Sequence, residues 1–146
     1  SRLGEAREAY ERALELRPAW VEARLNLGTL LYEDGEIGEA EVEFRLAVEI
    51  DPRHPLARFN LAVVLDEQNR SEEAREHLLE ALRISPDYAD ACYNLAILCE
   101  KLGRQTEARN YWTRYIQFDT QSQWAAQARR RLAALGGDPS SFKLPS

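Results

Sequence analysis

The 146-residue chain has no methionine and only two cysteines, Cys92 and Cys99. Two thiols leave no disulfide framework to hold a small fold together. They stand seven residues apart in a helical stretch, ~10 Å along the axis, beyond the ~7 Å Cα separation that a disulfide tolerates. Both are expected to be small, buried, apolar side chains. Basic residues are in deficit, with 19 Lys and Arg against 25 Asp and Glu and a formal charge of −6. That balance argues against nucleic acid as a direct partner, because phosphate binding needs a basic stripe. No apolar run approaches the ~18–20 residues of a membrane span, so no membrane partner is expected. His54 and His77 have no Cys, Asp or Glu at metal-ligand spacing that stands out. There is no phosphate loop, no Gly-x-Ser-x-Gly and no carboxylate pair in an apolar setting. Neither an enzyme nor a metal or other cofactor is expected. The chain opens on Ser1 without Met, which predicts a piece of a longer protein.

What the sequence does have is repetition. Pro18, Pro52 and Pro86 are spaced 34 and 34 apart. Four more columns keep the same step: Ala6, Ala40, Ala74 and Ala108; Tyr10, Phe44, Leu78 and Trp112; Leu27, Leu61 and Leu95; and Asn26, Asn60 and Asn94. A fixed period of roughly 20–50 residues means stacked supersecondary units, each too small to bury its own apolar face. Each unit reads as two helices. Val21, Leu25, Leu27, Leu30 and Leu31 recur at helical spacing, Asp34-Gly35 breaks the pattern, and Ile37 to Ile50 resumes it. Asp51-Pro52 ends that helix, because the ring cannot sit in a helix interior and pushes its neighbour out of helical geometry. The next units break at Asn69 and Gly103, residues that suit the left-handed turn closing a helix.

The expected organisation is a half repeat (1–18), full repeats (19–52, 53–86 and 87–120), a capping helix (121–135) and a tail or linker (136–146). The small residues at Gly28, Ala62 and Ala96 are expected to face Ala40, Ala74 and Ala108, since helices approach to ~8–10 Å only over small side chains. Arg129, Arg130 and Arg131 are expected on a solvated helix face.

These columns resemble the tetratricopeptide repeat. The match runs through Leu27-Gly28, Ala40, Phe44, Ala47 and Pro52, then Leu61-Ala62, Ala74, Leu78, Ala81 and Pro86, then Leu95-Ala96, Ala108 and Trp112. The sequence departs from the pattern where Arg24, Arg58 and Cys92 replace an aromatic and where Tyr115 replaces a small residue. The resemblance implies an all-α, right-handed superhelical solenoid of antiparallel helix pairs, about eight helices with a C-terminal cap. It also implies a protein–protein interaction scaffold within a larger, bacterial multidomain protein. In such arrays the first helices line a concave groove that binds a peptide or helix of a partner.

Three phases of the first helices are the candidate peptide-binding residues: Leu25, Phe59 and Tyr93; Asn26, Asn60 and Asn94; and Thr29, Val63 and Ile97. The amides can pair with peptide C=O and N–H groups, and the apolar stripe can anchor side chains. Glu22, Glu33, Asp66, Glu67, Asp90 and Glu100 are expected to make the rim acidic, which favours a basic-apolar ligand. A chaperone-tail carboxylate clamp is rejected, because lysines and arginines are missing from the neighbouring positions. Two alternatives stand beside the groove. One is self-assembly through the half repeat, with Leu3, Tyr10 or Leu14 uncovered. The other is a regulatory or targeting module attached to a further domain.

Overall fold

Prolines and left-handed turns set the helix ends. A computed structural model describes residues 2–136. Among the described residues there are eight helices and no strand: α1 Arg2–Leu16, α2 Val21–Glu33, α3 Ile37–Ile50, α4 Pro55–Glu67, α5 Ser71–Ile84, α6 Ala89–Lys101, α7 Gln105–Phe118 and α8 Gln123–Ala134. They fall where the apolar period and the breakers place them. The expected tail lies, from residue 137 on, outside the described residues.

Each inner turn closes in one way. Gly35, Asn69 and Gly103 have φ of 82°, 61° and 77°, the left-handed region that glycine and asparagine tolerate. Behind each, a backbone N–H reaches five residues back: Glu36 to Leu31 O at 2.8 Å, Arg70 to Leu65 O at 2.9 Å and Arg104 to Cys99 O at 2.7 Å. These bonds satisfy carbonyls that the helix end would orphan. The outer junctions use other devices. Pro55 starts α4, where its missing N–H costs nothing, and His54 Nδ1 accepts the Ala57 N–H at 3.3 Å.

Among the described residues the helices form two compact units, one running to residue 84 and the other starting at residue 85. In the first, α1 packs on α2, α2 on α3, α3 on α4 and α4 on α5, and α2 touches α4. Its core is the repeated set: Leu27, Leu31, Ala40, Phe44, Ala47, Leu61, Leu65, Ala74, Leu78 and Ala81 are all buried. In the second unit α6 packs on α7 and α7 on α8. Trp112, Leu95, Ala96 and Ala108 are buried there, together with Cys92 and Cys99, which are not joined in a disulfide.

One close contact was not expected. Gly28 lies against the Phe44 ring, so that a Cβ on it would sit 2.4 Å from a ring carbon. The small residue makes room for the large column, and Phe44 is 2% exposed in the space. Where the repeat has Ala62 in place of Gly28, it has the slimmer Leu78 in place of Phe44.

Candidate functional site

The departures at Arg24 and Arg58 have a structural reason. Arg24 Nε donates to Pro18 O at 3.0 Å, and Arg58 Nε donates to Pro52 O at 3.1 Å. Each guanidinium ties the start of a first helix to the proline junction before it. Its other end reaches the following helix: Arg24 to Glu43 at 2.8 Å, and Arg58 to His77 Nδ1 at 3.1 Å. A guanidinium only donates, so His77 accepts through Nδ1 and carries its proton on Nε2. Burial, with the Arg58 charge second, lowers the His77 pKa. Cys92 stands in this column in the second unit, and there Arg114 of α7 donates to Pro86 O at 3.0 Å instead. The sequence marked these positions as departures but gave no sign of the carbonyl they serve.

The opposite phases of the first helices form the candidate surface. Asn26 and Thr29 of α2 are exposed, and Asn60 and Val63 of α4 are half-buried. Because α2 touches α4, Asn26 and Asn60 occupy equivalent places on neighbouring helices. In the second unit, α6 carries a half-buried Asn94 and an Ile97 that is 45% exposed. None of the three carboxamides makes a hydrogen bond to another described residue. A fold-stabilising asparagine would be bonded, since buried polar groups are costly unless satisfied. These amides are left to solvent or to a ligand.

The apolar phase beside them is divided. Leu25 is only 5% exposed, so it packs in the core. Tyr93 is half-buried with its ring edge-on to Trp112 and to Tyr115, at 5.0 Å from each centroid. Ring edges and faces attract, so the cluster orients the part of Tyr93 that remains exposed. Phe59 is half-buried. The rim is also less free than its composition suggests. Glu67 accepts from the Tyr32 hydroxyl at 2.9 Å, and Asp66 from Ser71 Oγ at 3.3 Å. Glu100 takes the Trp112 indole N–H at 2.7 Å and Arg131 Nε at 3.2 Å, which joins α6, α7 and α8. Glu22, Glu33 and Asp90 are exposed.

The arginine run is partly exposed, and two of its members are also bonded outside their own helix. Arg131 holds Glu100, and Arg129 donates to Thr120 O at 2.6 Å. On α1, Leu3 is 45% exposed, but Tyr10 is half-buried and Leu14 is 8% exposed, so two of the three residues expected as an open face are covered. Among the described residues no group of His, Cys, Asp and Glu could hold a metal ion. No described helix is long and apolar enough to cross a membrane.

An all-α array of short helix pairs that repeats every 34 residues, with left-handed inner turns and proline junctions, defines a class: helical-repeat proteins. Sequence models of the tetratricopeptide repeat match residues 2–19, 21–87 and 59–123. The chain belongs to the tetratricopeptide-repeat family, whose members serve in general as non-enzymatic protein–protein interaction scaffolds.

Solved structures share the fold. MamA is 22% identical with a TM-score of 0.84, over 91% of this chain and 76% of that one. YrrB, described as a TPR protein with an unusual peptide-binding site, is 22% identical with a TM-score of 0.80, over 88% and 65%. A tetratricopeptide repeat protein from Parabacteroides merdae ATCC 43184 is 21% identical with a TM-score of 0.82, over 92% and 54%. At these identities the likeness is one of fold. No curated protein sequence matches the chain.

Proposed function

We propose that the chain binds a segment of a partner protein along the amide face of α2 and α4. Asn26 and Asn60 carry it in the first unit, with Thr29 and Val63 beside them, and Asn94 with Ile97 offers the same pairing by itself in the second. The observation that carries this reading is the set of three register-matched carboxamides without a bond to any other described residue. Each offers one acceptor and two donors, so it can satisfy a peptide C=O and N–H. Backbone pairing of this kind tolerates many sequences, while Val63 and Ile97 favour peptides with an apolar anchor. Exposed Glu22, Glu33 and Asp90 favour a basic one. The peptide-binding site of YrrB supports the reading as an analogy of fold.

The test is a peptide array probed with the wild type and with the double variant Asn26→Ala, Asn60→Ala. Each backbone hydrogen bond is worth about 0.5–1.5 kcal/mol. The double variant should therefore weaken the bound peptides by a similar factor, roughly tenfold. Unchanged binding, or loss confined to one peptide sequence, would remove the amide ladder.

Self-association through α1 is the second reading, supported by Leu3 at 45% and Leu16 at 84% exposure. A protein that sediments as a monomer at every concentration would dismiss it.

A further inference from the structure

A second surface lies on the other side of α2. Leu14 of α1 and Leu27 and Leu31 of α2 floor a cavity of about 480 Å³, and Val42 of α3 forms one wall. Asn26 and Thr29 are not in its lining, so it is separate from the amide face. Its volume falls within the roughly 300–1,000 Å³ of sites that take compact ligands.

Val42 is chemically out of step with its repeat. The same place holds Glu8, Glu76 and Asn110 in the other units, all polar. Val42 is 56% exposed, so it gains little from burial, and its β-branch makes it a weaker helix former than the glutamates. Folding gives no reason for an apolar residue here, whereas docking does.

The rim selects for charge. Glu11, Glu15, Glu39 and Glu43 surround the opening with Arg7 and Arg24, four carboxylates against two guanidinium groups. Both guanidinium groups are already used. Arg7 lies 2.9 Å from Glu11 and 2.6 Å from Glu39, and Arg24 lies 2.8 Å from Glu43. Glu15 has no ion pair among the described residues. An incoming cation meets an unpaired carboxylate beside an apolar floor, and an incoming anion meets an excess of like charge.

We propose that this cavity takes one large apolar side chain of a partner peptide, with a lysine or arginine of that peptide next to it in sequence and paired with Glu15. The apolar side chain fills the space above Leu14, Leu27 and Leu31 and covers Val42. Association is then steered by the acidic rim and weakens with salt. A scaffold with this site and the amide face holds two segments at once.

The experiment is selection of a displayed random-peptide library on the immobilised wild-type chain, with each enriched peptide then titrated against variants. Val42→Glu installs the residue found at the equivalent Glu8 and Glu76, so it is compatible with the helix, and Glu15→Lys alters the rim alone. Circular dichroism checks that both variants fold. The proposal expects a class of enriched peptides that are basic with an apolar anchor. Binding of that class should drop roughly tenfold or more on Val42→Glu and on Glu15→Lys, yet survive Asn26→Ala with Asn60→Ala.

It is overturned if every enriched peptide binds Val42→Glu as well as the wild type, if the peptides lost are acidic, or if none is enriched. It is also overturned if sedimentation shows dimers that Val42→Glu abolishes, since a second copy, through its exposed Trp124, would then be the occupant. Peptides lost only on the asparagine variant would leave the amide face standing without this site.

Discussion

At the residue scale, Gly28 lies against the Phe44 ring, and the same two positions one repeat on hold Ala62 and Leu78. The sequence showed both columns but not that they meet. It paired glycine with Ala40, and the structure adds the Phe44 ring against it. The prediction follows from the 2.4 Å that a Cβ at Gly28 would leave to the ring. Alanine gains about 1 kcal/mol of helix propensity over glycine, but overpacking a core costs ~1–3 kcal/mol. Gly28→Ala should be neutral to destabilising by up to about 2 kcal/mol in urea unfolding. Adding Phe44→Leu, which recreates the Ala62–Leu78 pairing, should recover part of the loss. If Gly28→Ala alone stabilises the protein by the full propensity gain, the ring does not fill that space.

At the element scale, helix existence and type were legible throughout, because prolines, glycines and Asn69 punctuate a strong 3.6-residue period. What holds one helix to the next was not, because arginine–carbonyl bonds leave no periodic trace. Tyr115 shows the same limit. It replaced a small residue in the sequence, and the structure places it buried at 6%, with its hydroxyl donating to Asp119 at 2.7 Å. Burial and that carboxylate raise the Tyr115 pKa to about 12.

Asp119 also accepts the Ser122 hydroxyl and the backbone N–H groups of Gln121 at 3.3 Å and Ser122 at 3.1 Å, and Ser122 in turn caps α8 by accepting the Ala125 N–H at 3.2 Å. The Ser122 hydroxyl first and Tyr115 second hold the Asp119 carboxylate down at about 2, from an ordinary 3.8. A depressed carboxylate stabilises the folded form fully above its unfolded pKa and stops doing so as the pH falls through its folded one. The attachment of α8 should therefore be insensitive to pH above about 4 and loosen between about 4 and 2. Hydrogen exchange of the α8 amides is the measurement. Asp119→Asn should flatten that dependence, whereas an equal pH slope in the variant would place the titration elsewhere.

At the scale of the whole molecule, the family was legible in the sequence, and the candidate surface only partly so. Three asparagines at one phase were visible, and their freedom from partners was not. Leu25 sat at a plausible inner phase but packs in the core, and the half-buried Tyr93 is oriented by Trp112 and Tyr115. Half-buried apolar residues at one phase pack or bind according to neighbours that a single periodicity does not reveal. The acidic cavity over Leu14, Leu27 and Leu31 had one sequence signal, the apolar Val42 in an otherwise polar column.

The central claim is that a partner segment binds along the amide face. The direct measurement is backbone amide chemical-shift mapping of the chain titrated with a peptide whose binding survives Val42→Glu. The account predicts shifts along the first helices, around Asn26, Thr29, Asn60 and Val63 and around Asn94 and Ile97. Shifts confined to the second helices, around Glu43, Glu76 and Arg109, with the asparagine side-chain signals unmoved, would contradict it.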